Sequence, residues 1–397
     1  MLIPMDATQT NHLKAYGLAY WALKENHTID WLLNYRGGSF LVDFTPALRS
    51  ECQVRGVLFE ILSAEQTNAI LKEITSPAVN MELVRLEKAP RIAVYTPTRH
   101  ALVTDDTDAV VLALDYAEIP YAKIYDEEVL GDTLAHFDWL HLHHEDFTGQ
   151  LGRSFRRASQ MLEGKLQESL ALKMGYTKVA TMKRDVTRKV LGFCAGGGYL
   201  FAMCSGAETF DIALAADGLD IVPSEYDGDE ADPLAQSKLD FSRSLAFENF
   251  TLEPPDSRKF SDINTSNGGW YGSQPLGFFQ LFSFSAKWDV VPTMLVQNHE
   301  QQIREFFGQT TAFQASLVKP SVQVLGENRQ NGNVRYIYGE LGRGHWTYYS
   351  GHDPESMPSR GRGGGTTNLD LFPHSPGYRL ILNNVLFPSA KKKKQKT

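Results

Sequence analysis

The chain has 397 residues, 42% of them hydrophobic and 22% charged, with 32 glycines and 18 prolines, a composition that excludes a disordered or collagen-like polymer. Three cysteines (Cys52, Cys194 and Cys204) are too few, and odd in number, for a disulfide framework. The formal charge is −8, yet five lysines crowd the last seven residues, leaving a body of 34 basic against 47 acidic side chains that speaks against nucleic acid as a partner.

No basic stretch followed by an apolar run opens the chain, so the expectation is a soluble cytoplasmic protein, or a periplasmic one if numbering starts after processing. The longest uncharged run, 190–207, holds five glycines and reads as a buried strand, turn and helix rather than a membrane span.

In chain order, residues 2–5 read as a strand and 9–24 as a helix, with Leu13, Tyr16, Tyr20 and Leu23 at helical spacing. Runs 31–35 and 39–44 flank the turn Arg36-Gly37-Gly38, and 57–62 is another apolar run. Ser63-Ala64-Glu65-Gln66 is a capping box opening the next helix. Strands alternating with helices favour a parallel, helix-covered sheet. A second unit begins at Arg91, with a helix over 106–117, strands at 121–125 and 139–143, and a helical region over 154–189 that breaks at Gly175. Residues 190–193 then read as a strand and 199–216 as one apolar helix. Weak periodicity over about 224–290 marks an insertion. Its acidic stretch, Tyr226 to Asp232, lacks the spacing of a calcium loop and reads as a solvated one. Strands return at 322–325, 334–338 and 346–349, then a Gly/Pro/Ser-rich loop (355–377) and a closing helix (378–386).

The sharpest local signal is Val190-Leu191-Gly192-Phe193-Cys194-Ala195-Gly196-Gly197-Gly198. As a strand feeding a tight turn, it has the form of a nucleophile elbow: Gly192 and Gly196 permit the turn, Cys194 stands at its apex, and the Ala195 N–H lines an oxyanion hole. The other reading is a closely packed glycine-rich junction with Cys194 as a small buried hydrophobe. Downstream, His352-Asp353-Pro354-Glu355 places an imidazole and two carboxylates at the carboxyl edge of a sheet. There His352 is a base for Cys194, oriented by Asp353 or Glu355. A turn that merely caps the long loop is the alternative.

These segments resemble the class I glutamine-amidotransferase-like superfamily. Within it, Gly351-His352-Asp353-Pro354-Glu355 and Ser375-Pro376-Gly377-Tyr378-Arg379 are similar to the turn and closing helix of the ThuA-like (trehalose-utilisation) branch. The whole chain resembles a bacterial family labelled asparagine synthetase B, in which the stretch Ala202-Met203-Cys204 is more regular than Cys194. The residues do not support that label: position 2 is Leu2 rather than the N-terminal nucleophilic cysteine, no Ser-Gly-Gly-x-Asp loop is present, and Tyr199 follows the glycines where amidotransferases carry glutamine. What the resemblance implies is a flavodoxin-like three-layer α/β sandwich with a mostly parallel sheet over 91–390, preceded by a smaller α/β segment over 1–90.

A third signal is His141-Leu142-His143-His144-Glu145-Asp146. On a strand His141 and His143 share a face, and the cluster offers ligand types for a divalent metal such as Zn²⁺. The bland alternative is a loop whose imidazoles bind backbone. The tail (Lys391, Lys392, Lys393, Lys394 and Lys396) reads as disordered, with an acidic protein or anionic surface as its possible partner. The resulting expectation is a hydrolase or transferase acting on a small polar amide or sugar, thiol- or metal-based. The competing class is a degenerate enzyme fold that binds a partner.

Overall fold

A computed structural model describes residues 1–97, 108–151, 153, 158–265, 278–297, 300–304, 312–355 and 367–391. The N-terminal segment runs β1 (Leu2–Ile3), α1 (His12–Lys24), β2 (Ile29–Leu33), β3 (Ser39–Val42), α2 (Pro46–Arg55), α3 (Ala64–Thr75) and β4 (Glu82–Leu86). The Ser63/Gln66 capping box forms at α3 as expected. Its four strands make a separate sheet, in the order β1-β3-β2-β4, with every pair antiparallel. The expected parallel sheet is therefore corrected. The turn at Arg36, Gly37 and Gly38 (φ 45°, 76° and 87°) is too short for a crossover, so β2 and β3 can only pair as a hairpin.

The remainder continues through β5 (Ile92–Tyr95), α4 (Ala109–Ala117), β6 (Ala122–Ile124), α5 (Asp126–Leu130), β7 (Trp139–Leu142), α6 (Ala158–Lys173), α7 (Val179–Gly196), β8 (Tyr199–Met203) and α8 (Cys204–Ala215). Short helices α9 (Ser224–Asp227) and α10 (Ala235–Lys238) precede β9 (Phe278–Leu281), α11 (Pro292–Val296), β10 (Gln302–Arg304), β11 (Gln323–Asn328), β12 (Asn333–Leu341), β13 (Gly344–Tyr349) and α12 (Pro376–Leu386). Nine strands form one mixed sheet, in the order β10-β9-β11-β12-β13-β8-β7-β5-β6. From β13 to β6 all neighbours are parallel; from β13 to β10 they are antiparallel.

Alternation along the strands divides the core between the two faces. Ile92, Val94, Trp139, Phe201 and Met203 pack on one side with α1, α4 and α12, whereas Ala93, Tyr95, Leu140, Leu142, Leu200 and Ala202 face α7 and α8 on the other. The N-terminal segment docks through α1, where a Cβ on Gly17 would meet the Ala117 carbonyl oxygen at 1.8 Å. Among the described residues, no helix is long and apolar enough to cross a membrane.

The largest departure from expectation lies at residues 190–216. Residues 190–193 belong to α7, because Met182, Val186, Val190 and Cys194 repeat every four positions and bury one helical stripe. The following glycines end that helix: Gly197, at φ 121°, donates its N–H to the Cys194 carbonyl, and the Gly198 N–H reaches that of Phe193. The run expected as one helix splits into β8 and α8. The segment expected as an insertion packs into the same core through Leu245, Phe247, Phe250 and Ile263, and Asp211 of α8 accepts the N–H groups of Leu245, Ala246 and Phe247. In the acidic stretch, Lys178 Nζ lies 2.8 Å from Asp220, 3.0 Å from Asp227 and 2.5 Å from Asp229, which offsets part of the cluster's charge. Lys391 pairs with β4, its N–H bonded to the Arg85 carbonyl and its Nζ 3.1 Å from Glu87. The other tail lysines, the start of the helix expected at 106 and the centre of the loop 355–377 lie outside the described residues.

Candidate functional site

The parallel strands deliver polar side chains to one edge of the sheet, beyond their carboxyl ends, where open α/β sheets hold ligands. His141 is on β7, and His143 and His144 follow it; Cys204 follows β8, and His352 follows β13. Asp108 enters from α4. It caps that helix by accepting the Val110 N–H at 2.7 Å and the Val111 N–H at 3.1 Å.

Cys204 joins β8 to α8 at φ 50°, a left-handed conformation that costs a non-glycine residue about 1–2 kcal/mol. Its N–H donates to the carbonyl of Gly351, the residue before His352. Two residues on, Gly206 donates to the His143 carbonyl at 2.7 Å, and a Cβ there would meet that oxygen at 2.5 Å. Ser205 Oγ reaches the His144 carbonyl and Thr209 Oγ1 that of Glu145, so the first two turns of α8 clamp residues 143–145 after β7. A strand, a strained residue and a helix pinned by glycine form the elbow geometry that the sequence suggested ten residues earlier.

The imidazoles form a directed chain. His141 Nδ1 lies 3.1 Å from the Phe201 carbonyl, and its ring stacks against both Trp139 and Phe201, which also stack on each other. A carbonyl only accepts, so Nδ1 carries a hydrogen, while Asp108 Oδ2 lies 3.4 Å from Nε2. That nitrogen is 3.3 Å from His143 Nδ1, with Asp108 Oδ1 at 3.6 Å from the same atom, which places a hydrogen on His143 Nδ1. His143 Nε2 then accepts from His352 Nδ1 at 2.8 Å, leaving the lone pair of His352 on Nε2. Burial drives His143 well below the ordinary histidine range, against the pull of Asp108, so the His143 ring is neutral at neutral pH. Burial pushes the Asp108 carboxyl up, but His143, His141 and the bonds it accepts outweigh this and hold it ionised.

The other expected site residues lie elsewhere or turn away. Cys194 is buried at the end of α7, its Sγ 3.3 Å from the His345 carbonyl, and burial pushes its thiol up to about 12. His345 is near the start of β13 and His352 lies past its end, so at about 3.3 Å per residue some 13 Å of strand separates them. Gly192, Ala195 and Gly196 share that distant end of the sheet; the Ala195 carbonyl accepts from Arg343 N–H. Of the carboxylates, Asp353 accepts from the Glu355 N–H and Thr367 Oγ1, and Glu355 accepts from Ser375 Oγ. Glu145 binds the His143 N–H at 2.7 Å, and Asp146 closes a turn on Thr148. The ring that meets His352 Nδ1 is that of His143. Sequence reasoning missed Asp108, and did not place Cys204 at the elbow. The five apolar residues 199–203 before Cys204-Ser205-Gly206 were the available signal.

No family model and no curated protein matches this chain. Among solved structures, a cytoplasmic protein from Salmonella typhimurium covers 76% of this chain and 100% of its own, at 11% identity and a TM-score of 0.37. A second, from Salmonella typhimurium LT2, covers 76% and 99%, at 13% identity and a TM-score of 0.40. A GH42 beta-galactosidase covers 66% of this chain and 27% of its own, at 8% identity and a TM-score of 0.29. Likenesses this distant carry no argument about activity.

Proposed function

We infer that the chain is a thiol-dependent hydrolase or acyltransferase of small polar amides, with Cys204 as nucleophile and His352 as general base. The observation that carries this reading is the left-handed Cys204 at the β8–α8 turn, tied by its N–H to Gly351 beside His352. Strain of this kind persists where the surrounding structure enforces it, and it clusters at reacting residues. The parallel strands β6-β5-β7-β8-β13, numbered among themselves, run 2-1-3-4-5, the flavodoxin-like order, which supports the amidotransferase-like resemblance.

In this mechanism His352 Nε2 takes the thiol proton as Sγ attacks the acyl carbon. The bond to the leaving group breaks, and that group departs with the proton from His352. Water then cleaves the thioester, returning a proton to the thiol. His143, backed by Asp108, fixes the His352 tautomer and stabilises the imidazolium as it forms. The experiment is a burst assay with p-nitrophenyl acetate on metal-free protein. The expected result is one nitrophenolate per chain and an acetyl group on Cys204 by peptide mass spectrometry, slowed about 10²–10⁴-fold in His352→Gln. An acetyl group absent from Cys204, or a rate unchanged by His352→Gln, overturns the reading and favours a partner-binding protein instead.

A further inference from the structure

Three imidazoles converge where β7 and β13 end. Ligand nitrogens of His143, His144 and His352 all lie within 4.8 Å of one another, and the His143 ring stands edge-on to both other rings, with centroids 5.2 and 4.6 Å away. The Nδ1 atom of His144 is buried and has no hydrogen-bond partner among the described residues. An unsatisfied buried polar atom costs about 1–3 kcal/mol, and the mechanism above leaves this one unused.

We propose that His143, His144 and His352 bind one divalent ion of the zinc class, with a fourth position open. Three neutral imidazoles are the ligand set of an open tetrahedral site with bonds of about 2.0–2.1 Å, which sets neighbouring nitrogens about 3.3 Å apart. The His143–His352 contact of 2.8 Å opens by only half an ångström to meet that spacing. Asp108, 3.6 Å from His143 Nδ1, supplies the carboxylate behind a ligating histidine that orients such rings. His143 already presents a lone pair at Nε2, and His144 presents its orphan Nδ1. To ligate through Nδ1, His352 moves its hydrogen to Nε2, with no net gain or loss of protons. That position is the one from which the base has to accept a proton. Metal occupancy and thiol catalysis therefore exclude each other, a consequence that rests on the reading of His352 as base.

The test is titration of chelator-treated, full-length protein with Co²⁺ and Zn²⁺, read by bound metal per chain and by the visible bands of four-coordinate cobalt. The expected result is one Co²⁺ per chain, displaced by Zn²⁺. Affinity falls at least about tenfold in His144→Asn and about 10–100-fold in Asp108→Asn, and is unchanged in His27→Asn. One equivalent of Zn²⁺ suppresses acetylation of Cys204 at least tenfold, and chelator restores it. Absence of stoichiometric binding, or binding indifferent to His144→Asn, overturns the site; bound metal that leaves acetylation unchanged overturns the exclusion. Acetylation of metal-free protein tests the cysteine reading separately, so protein that binds Co²⁺ through His144 without taking an acetyl group keeps the metal site and loses that reading.

Discussion

The backbone of Cys204 gives a prediction that needs no substrate. Its φ of 50° lies in the left-handed region, where any side chain bearing a Cβ is strained by about 1–2 kcal/mol. Cys204→Ala keeps that strain, whereas Cys204→Gly releases it. Against the release stand the lost burial of one methyl group, about 0.8 kcal/mol, and the greater freedom of glycine in the unfolded chain, about 0.5–1 kcal/mol. These terms nearly cancel, so the glycine and alanine variants are expected within about 0.5 kcal/mol of each other. At an ordinary buried helix start, with no strain to release, the same change would cost about 1.5 kcal/mol. Urea unfolding of both variants at pH 7, analysed with a shared slope, resolves the two cases. A glycine variant 1.5 kcal/mol or more below the alanine variant would refute the strained elbow.

Other outcomes follow from the same geometry. Gly206→Ala forces a Cβ against the His143 carbonyl and disturbs the bond between them, so urea unfolding should show a loss of about 2–4 kcal/mol. Lys183, Asp126 and Tyr95 form a fully buried cluster, with Lys183 Nζ 2.6 Å from Asp126 and 3.0 Å from Tyr95 Oη. Lys183→Met should cost about 3–5 kcal/mol by stranding the carboxylate, and Lys183→Met with Asp126→Leu should recover most of it. Burial, the nearby Arg379 charge and His374 lower His12 to about 4, despite its bond to the Asp6 carbonyl. Below about pH 6.5 the unfolded chain therefore takes up a proton that folded His12 refuses, and stability falls as pH falls toward 4. Between pH 7 and 5 the wild type should lose about 1–2 kcal/mol more than His12→Gln, measured by urea midpoints at the two pH values.

Much of the fold was legible because the period of the apolar residues was. Helix α1, the capping box at α3 and strands β5, β7, β12 and β13 lie where their patterns place them. Reading failed at the uncharged run 190–207, where nearly every residue is apolar or glycine and two periods fit. The stripe Met182, Val186, Val190 and Cys194 is helical, but only the preceding charged stretch makes it visible. Once α7 extends through Gly196, the glycines become its cap and the strand moves to residues 199–203, carrying the elbow from Cys194 to Cys204. His141, His143, His144 and His352 were legible as chemistry, since few structural roles require so many imidazoles. Their order in a chain was not, because it depends on the Phe201 carbonyl of β8 and on Asp108 at the start of α4, elements far apart in sequence that meet at one edge. The antiparallel N-terminal sheet was hidden for a similar reason: alternating strands and helices do not reveal which strand pairs with which.

The measurement that bears most directly on the Cys204 assignment is competitive alkylation of the native, metal-free protein with chloroacetamide at pH 7, quantified for each cysteine by mass spectrometry. Cys194, whose thiol is held near 12, and Cys52, raised to about 11, should remain unmodified. The account predicts that Cys204 reacts first and that His352→Gln slows it at least tenfold. Modification of Cys204 no faster than that of Cys52 and Cys194 would contradict it.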